Sequence, residues 1–224
     1  MKKLILLIAV LISTQLSAQY KAYKDISIDQ FLTETQLGSD DPDSLELIWW
    51  IPLDFWEISN AQDPSYTEGD MQELREMLAG YEIFAVVKGR IGTFGGITYS
   101  SLETIQEEFK VMYKGEPLVL ADTGQAPPDL LNFMSMIQPM MANMFGPMGE
   151  NMHFILMKDN ALNKVIPISA KADDDVAFEL GAFKKSIDLP LSCMMIEKKC
   201  PKDGKLYNGK FNYCPYDGTA LKQQ

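Results

Sequence analysis

Two copies of one short phrase stand near the C-terminus, and they constrain the local fold more tightly than any other feature of the chain. The phrases are Cys200-Pro-Lys-Asp-Gly204 and Cys214-Pro-Tyr-Asp-Gly218, which differ only in their third residue. In each copy the proline presets a turn, the aspartate can bond to nearby backbone, and the glycine can adopt a positive φ. The sequence therefore predicts two similar tight turns, each carrying a cysteine.

Each phrase resembles a knuckle of a zinc ribbon, Cys-Pro-x-Cys-Gly, in which aspartate has replaced the second cysteine. The resemblance covers the run from Lys199 to Lys222 and implies a degenerate zinc-ribbon-like tail. Zinc in proteins is held by four ligands, usually sulfur and nitrogen, and aspartate can also serve. The resemblance therefore implies a metal set of Cys200, Asp203, Cys214 and Asp217, with zinc as the possible cofactor.

A disulfide between Cys200 and Cys214 is the competing prediction for this tail. It would close a loop of about 15 residues, which the loop-entropy argument values at about 3 kcal/mol. Disulfides are typical of exported proteins, so an export signal favours this alternative. Two free thiols are the third alternative. Cys193 lies in an apolar run, which favours a buried, unreactive thiol.

The N-terminus has the order of a secretory signal peptide. Two lysines precede the apolar run from Leu4 to Ile12, and small residues ending in Leu-Ser-Ala18 follow it. This order predicts cleavage after Ala18 and a periplasmic or secreted bacterial protein without a membrane span. The predicted organisation is a signal peptide (1–18), a polar leader (19–44), one folded domain (45–190) and the ribbon-like tail (191–224).

In the body, segments with the two-residue apolar period of strands and segments with the helical period of about 3.6 residues follow one another in irregular order. Alternation from Leu45 to Ile58 predicts a strand that lies at an edge or breaks at Pro52. Thr67 begins a predicted helix, Glu82–Val87 reads as a buried strand, and Pro128–Met144 is helical by period. Because no regular βαβ alternation is present, the sequence predicts an α+β fold: a mixed or antiparallel sheet with two or three helices.

Charge is distributed unevenly along the chain. The whole chain carries −11, yet residues 198–224 contain six lysines and two aspartates, whereas residues 20–197 contain 12 basic and 29 acidic residues. An acidic body repels nucleic acid and anionic membranes, so neither is an expected partner. We expect the basic tail to dock on its own acidic body, with an anionic envelope surface as the alternative.

Methionine is concentrated in the second half of the chain. Met136, Met140, Met144, Met148 and Met152 recur every four residues, and the only histidine, His153, follows them. Thioethers with a histidine can bind Cu(I), so Met144, Met148, Met152 and His153 form a candidate copper site. Core packing on one helix face is the simpler interpretation of the same spacing.

The three tryptophans fall within eight residues, and Trp50 and Trp56 share one face of the strand predicted there. Exposed, these two indoles would stack on a sugar ring or a peptide, which makes them the candidate ligand-binding residues. Buried, they would be ordinary core. Asp54 and Glu57 beside them are a possible carboxylate pair for a hydrolase. No catalytic residue is assigned from a recognised motif.

The stretch Ile48–Trp56, the segment Gly146–Phe154 and the double Cys-Pro-x-Asp-Gly ending together resemble an uncharacterised family of exported bacterial proteins. The resemblance implies no activity. The leading hypothesis is therefore an envelope or periplasmic binding module without catalysis, whose partner is an envelope protein, a glycan or a peptide. The alternatives are a periplasmic metal-handling protein, using copper or zinc, and a carboxylate-dependent hydrolase.

Overall fold

The computed structural model describes residues 20–63 and 65–223, and the predicted signal peptide lies outside this range. The α-helices in the described residues are α1 (Ile28–Thr35), α2 (Leu53–Gln62), α3 (Glu68–Leu78), α4 (Leu102–Glu108) and α5 (Pro128–Asn143). The strands are β1 (Gln36–Gly38), β2 (Ser44–Ile51), β3 (Glu82–Ile91), β4 (Ile97–Tyr99), β5 (Phe109–Tyr113), β6 (Glu116–Pro117), β7 (Val119–Leu120), β8 (His153–Lys158), β9 (Asp175–Leu180), β10 (Phe183–Asp188), β11 (Lys198–Lys199), β12 (Leu206–Tyr207) and β13 (Lys222–Gln223). Short 3-10 helices span Tyr23–Asp25, Gly146–Asn151 and Ser192–Met194.

The strands form three sheets, and every pairing is antiparallel. The large sheet has the order β1-β2-β3-β8-β7, with β4 also paired to β3. A second sheet has the order β10-β9-β5-β6, and the C-terminal sheet has the order β12-β11-β13. The predicted α+β class and antiparallel sheet are confirmed, although the described residues contain more helices than the two or three expected.

The body is built in three layers, with the large sheet in the middle. Trp50 and Phe84 point from one face of that sheet into a core shared with Phe178 of the second sheet. Trp49, on the opposite face, packs in a separate core with residues of α3 and α5 such as Met141. Because the central strands are covered on both faces, they read as continuous apolar runs. Burial of both faces is the main source of stability for this body.

The predicted strand from Leu45 to Ile58 was too long. Strand β2 ends at Ile51, Pro52 precedes the first helical residue with φ −70°, and α2 begins at Leu53. Proline fits this position because its fixed φ and missing N–H suit the start of a helix. The break at Pro52 is therefore confirmed, but β2 lies between β1 and β3 and is not an edge strand.

The segment predicted as a loose polar leader is part of the fold. It contains α1 and β1, and β1 pairs with β2 from Gln36↔Trp49 to Gly38↔Leu47. Ile26 and Phe31 are buried in the core between the two sheets of the body. The segment is held by these two buried side chains, by partly buried apolar residues around them and by the pairing of β1 with β2.

Candidate metal centre in the C-terminal ribbon

The two Cys-Pro-x-Asp-Gly phrases fold into matching turns. Gly204 N–H donates to the Cys200 carbonyl at 2.9 Å, and Gly218 N–H donates to the Cys214 carbonyl at 2.9 Å. Each cysteine N–H in turn donates to the carbonyl of the residue after the glycine, at 2.9 and 2.8 Å. The glycines have φ of +73° and +71°, the left-handed region that favours glycine. The two predicted turns are confirmed.

The aspartate in each phrase supports its own turn. The Oδ1 atoms of Asp203 and Asp217 both accept a backbone N–H two residues on, each at 2.9 Å. These N–H donors hold the pKa of both aspartates below the usual range, since they stabilise the ionised carboxylate. The second oxygens differ: Asp203 Oδ2 accepts the Tyr207 hydroxyl at 2.8 Å, whereas Asp217 Oδ2 lies 3.7 Å from Lys202 Nζ.

Three potential metal ligands converge between the turns. The Sγ atoms of Cys200 and Cys214 and a carboxylate oxygen of Asp217 all lie within 4.8 Å of one another. Zinc–sulfur and zinc–oxygen bonds are about 2.3 and 2.1 Å long, so one ion can span separations of this size. Both cysteines are buried, whereas Asp217 lies at the surface. The set is therefore a shielded pair of sulfurs with an oxygen at its outer side.

The thiols are not joined in the structure. Cys193, Cys200 and Cys214 are all free cysteines. Burial raises the pKa of Cys200, while backbone N–H groups of Asp203 and Lys202 oppose that rise. The proximity of the Cys200 and Cys214 sulfurs is compatible with a shared ion or with a later disulfide, so both remain predictions.

Cys193 is not part of the two turns, and it is 4 % exposed. Burial, with the neighbouring carboxylate of Glu34, raises the pKa of its thiol to about 12. That carboxylate accepts the backbone N–H groups of Ser192 and Cys193 at 2.5 and 2.9 Å. A cavity of about 380 Å³ borders these residues. The Cys193 thiol nevertheless stays protonated and unreactive at neutral pH, because its pKa is raised.

The ribbon, residues 198–223, makes a close contact with the segment that precedes it at Gly209. A Cβ at Gly209 would lie 2.4 Å from the Ile196 carbonyl oxygen and 2.7 Å from the Met195 Cβ, so only glycine fits there. Lys210 forms the one salt bridge between a ribbon lysine and the body in the described residues, with Asp188 at 2.7 Å. The other five lysines of the tail form no ion pair with the body among the described residues, so docking of the tail by charge rests on Lys210 alone.

The stacking platform predicted from Trp50 and Trp56 is not formed. Trp50 is 0 % exposed, and its Nε1 donates to Glu82 Oε2 at 2.8 Å in the core. Trp56 belongs to α2 and packs edge-on against Phe133, with ring centroids 5.1 Å apart. Trp50 is buried because the second sheet covers its face of β2, whereas Trp56 lies in α2 and not on the strand predicted there.

Both members of the carboxylate pair proposed for a hydrolase are engaged by other groups of the protein. Asp54 is 4 % exposed and accepts the Tyr23 hydroxyl and the Ala170 N–H, both at 2.8 Å. Glu57 binds Arg75 through two contacts of 2.6 and 3.0 Å. Neither side chain opens onto a shared cleft, so this structure gives no support to hydrolysis by these residues.

The candidate copper residues differ in their burial. Met152 is 3 % exposed in the core between the large sheet and the helices, and Met148 packs against the same core. Met144 is 66 % exposed at the end of α5, and His153 begins β8, where it pairs with Val86. Core packing therefore accounts for Met148 and Met152, whereas Met144 is exposed to solvent, and copper binding by this set stays a prediction.

Sequence reasoning missed a row of carboxylates that holds the segment between β8 and β9. Asp159 Oδ1 accepts two backbone N–H groups, from Val165 at 2.7 Å and Ile166 at 3.1 Å. Glu82 Oε1 accepts the Ile168 N–H at 2.7 Å, and Asp54 holds Ala170 as described above. An acidic residue at the start of the apolar strand β3 was the only available signal. These groups are structural, because their oxygens accept backbone N–H groups and, in Asp54 and Glu82, also the Tyr23 hydroxyl and the Trp50 indole N–H.

No protein-family model, curated protein or solved structure matches this chain. Among the described residues, no helix has the length and apolarity needed to cross a membrane. The function must therefore be inferred from the geometry of the ribbon and the chemistry of its side chains.

Proposed function

We propose that this protein is a non-catalytic interaction module of the bacterial envelope whose C-terminal ribbon is held closed by a zinc ion. The convergence of Cys200 Sγ, Cys214 Sγ and an Asp217 oxygen within 4.8 Å carries the proposal. Asp203 is the fourth candidate ligand, and its Oδ2 would exchange the Tyr207 hydroxyl for the metal. Two sulfurs with oxygen ligands suit zinc better than Cu(I), which selects sulfur.

The ribbon has a physical need for such an ion. Its strands β11, β12 and β13 have two residues each, and Leu206, Phe211, Tyr213 and Tyr216 are all exposed. A segment with so little apolar burial cannot offset the entropy of ordering its backbone by packing alone. Ligation of both turns would supply the missing free energy, as in other small zinc-held folds.

Oxidation is the second candidate state of the same residues. The adjacency of the two sulfurs favours it, since a disulfide between Cys200 and Cys214 would tie the same two turns. A secreted or periplasmic location, predicted from the N-terminus, favours this state further. The two states exclude each other, because sulfurs bonded together no longer bind zinc as thiolates.

The test is zinc content by mass spectrometry, measured with intact mass after alkylation under denaturing conditions. Protein purified without chelator should contain one zinc per chain, and all three cysteines should alkylate after unfolding. The Cys200→Ser variant should lose the zinc, whereas the matched Cys193→Ser variant should retain it. Wild-type protein that contains no zinc and in which only one cysteine is alkylated would instead assign the tail to the disulfide state.

A further inference from the structure

The outer face of the ribbon carries a row of side chains that its own chain leaves unpaired. Lys199 in β11 lies opposite Leu206 in β12 on one side and opposite Lys222 in β13 on the other. Residues directly opposite in antiparallel strands project from the same face, so the three form one row. All three are exposed.

The opposite face of the ribbon is engaged internally. Lys198 is only partly exposed, and its Nζ donates to the Phe211 carbonyl at 3.0 Å and to Asn212 Oδ1 at 3.1 Å. The row of Lys199, Leu206 and Lys222 is thus the face that remains available to a partner.

The row contains an unfavourable pair of like charges. Opposite residues in a sheet have Cβ atoms about 5 Å apart, so the Lys199 and Lys222 ammonium groups repel each other. Neither lysine forms a salt bridge within the described part of the chain, whose seven ion pairs use other residues. A carboxylate placed between them would convert this repulsion into two attractions.

We infer that this row is a docking surface for an acidic polypeptide segment of another protein. The inference rests on the proposed function, because only a closed ribbon aligns the three strands. The lysines supply charge complementarity to carboxylates, and Leu206 beside Lys199 offers an apolar contact for a neighbouring side chain. The outer edges of β12 and β13, free of pairing in the described residues, can also accept an extended strand.

The rest of the molecule selects against other polyanions. Residues 20–197 carry 29 acidic and 12 basic residues, so a nucleic acid or an anionic membrane would meet strong repulsion beyond the ribbon. A short acidic segment covers only the ribbon and avoids most of that field, which is screened beyond about 10 Å at moderate salt. Residues 198–224 also contain no arginine, the side chain that binds phosphate through two parallel hydrogen bonds.

The experiment measures fluorescence anisotropy of a short labelled peptide of alternating glutamate and valine, titrated with the zinc-loaded full chain. The double variant Lys199→Glu/Lys222→Glu should bind at least about tenfold more weakly, since two attractions become repulsions. The matched control Lys24→Glu/Lys164→Glu makes the same charge change at two exposed lysines of the body and should bind as the wild type does. Circular dichroism checks that both variants are folded.

Equal weakening in both double variants, or none in either, overturns the inference. Tighter binding to a labelled single-stranded oligonucleotide or to vesicles containing anionic lipid overturns the choice of an acidic polypeptide. Sedimentation of the protein alone would reassign the face to self-association if it showed a dimer that Lys199→Glu/Lys222→Glu abolishes. Zinc is measured in every sample: peptide binding without zinc would contradict only the proposed function, and zinc without binding would contradict only this inference.

Discussion

The three-layer body and the ribbon solve the problem of stability in different ways. In the body, the strands β2, β3 and β8 are covered on both faces, and aromatic groups such as Trp50 and Phe84 are fully buried. In the ribbon, the buried cysteines Cys200 and Cys214 face each other while most large apolar side chains are exposed. The body is therefore held by apolar burial, whereas under the proposed function the ribbon depends on the zinc ion that its two cysteines bind.

The largest expected effect is the loss of stability when a core side chain of the body is truncated. Phe84 is 0 % exposed and stacks edge-on with Phe109 and Phe178 at centroid distances of 5.4 and 5.9 Å. Phe84→Ala should lower the free energy of unfolding by about 3–5 kcal/mol, because it leaves a cavity between the two sheets. Urea denaturation followed by tryptophan fluorescence measures this loss. Removal of zinc with a chelator should leave this unfolding transition almost unchanged. A loss of about 3–5 kcal/mol on zinc removal as well would show that the stability of the body depends on the ribbon.

The second prediction concerns Glu82, whose carboxylate lies in the core of the body. Burial raises the pKa of Glu82 to about 8, although N–H bonds from Trp50 and Ile168 partly oppose the rise. The folded state therefore holds a proton that the unfolded state releases near pH 4.5, so stability falls as the pH rises from about 4.5 to 8. We expect a loss of a few kcal/mol across that window.

Glu82→Gln should remove this part of the pH dependence. At acidic pH it should also cost about 1–3 kcal/mol, because an amide NH₂ cannot accept both N–H groups that Glu82 accepts. Urea denaturation at a series of pH values tests both effects, with the exposed Glu73→Gln on α3 as the control. A wild-type protein whose stability is flat or rises between pH 5 and pH 8 would contradict the shifted pKa.

The sequence predicted the local features well and the covering of surfaces poorly. The helix start at Thr67 was found because its capping box with Asp70 is encoded by residues three apart. The turns at Gly204 and Gly218 were found for the same reason. Trp50 was misplaced because alternation shows that β2 has two faces, but not that a second sheet covers one of them. Three of the four residues named as possible zinc ligands converge, Asp203 is not among them, and this convergence depends on how β11, β12 and β13 pair.

The third prediction separates the ribbon from the body at their contact. Gly209→Ala places a Cβ 2.4 Å from the Ile196 carbonyl oxygen and 2.7 Å from the Met195 Cβ, and neither atom belongs to the movable end of a side chain. We expect a cost of about 1–3 kcal/mol, spent on local displacement of the ribbon. Hydrogen exchange should show faster exchange in residues 198–223 and unchanged rates in β3. Gly80→Ala is the control, since nothing lies within 4 Å of its Cβ position, and an equal effect there would exclude the steric explanation.

The smallest expected effect distinguishes the two otherwise matching turns. Asp217 has an oxygen within 4.8 Å of both sulfurs, whereas Asp203 gives its second oxygen to Tyr207. Asparagine keeps the turn bond in either position, because its side-chain oxygen still accepts the backbone N–H, but it removes the charge that zinc prefers. Asp217→Asn should therefore weaken zinc binding about tenfold more than Asp203→Asn, which corresponds to about 1.4 kcal/mol. Competition with a chromophoric chelator measures both affinities. Equal losses would show that the two turns contribute alike and that Asp203 leaves Tyr207 when the ion binds.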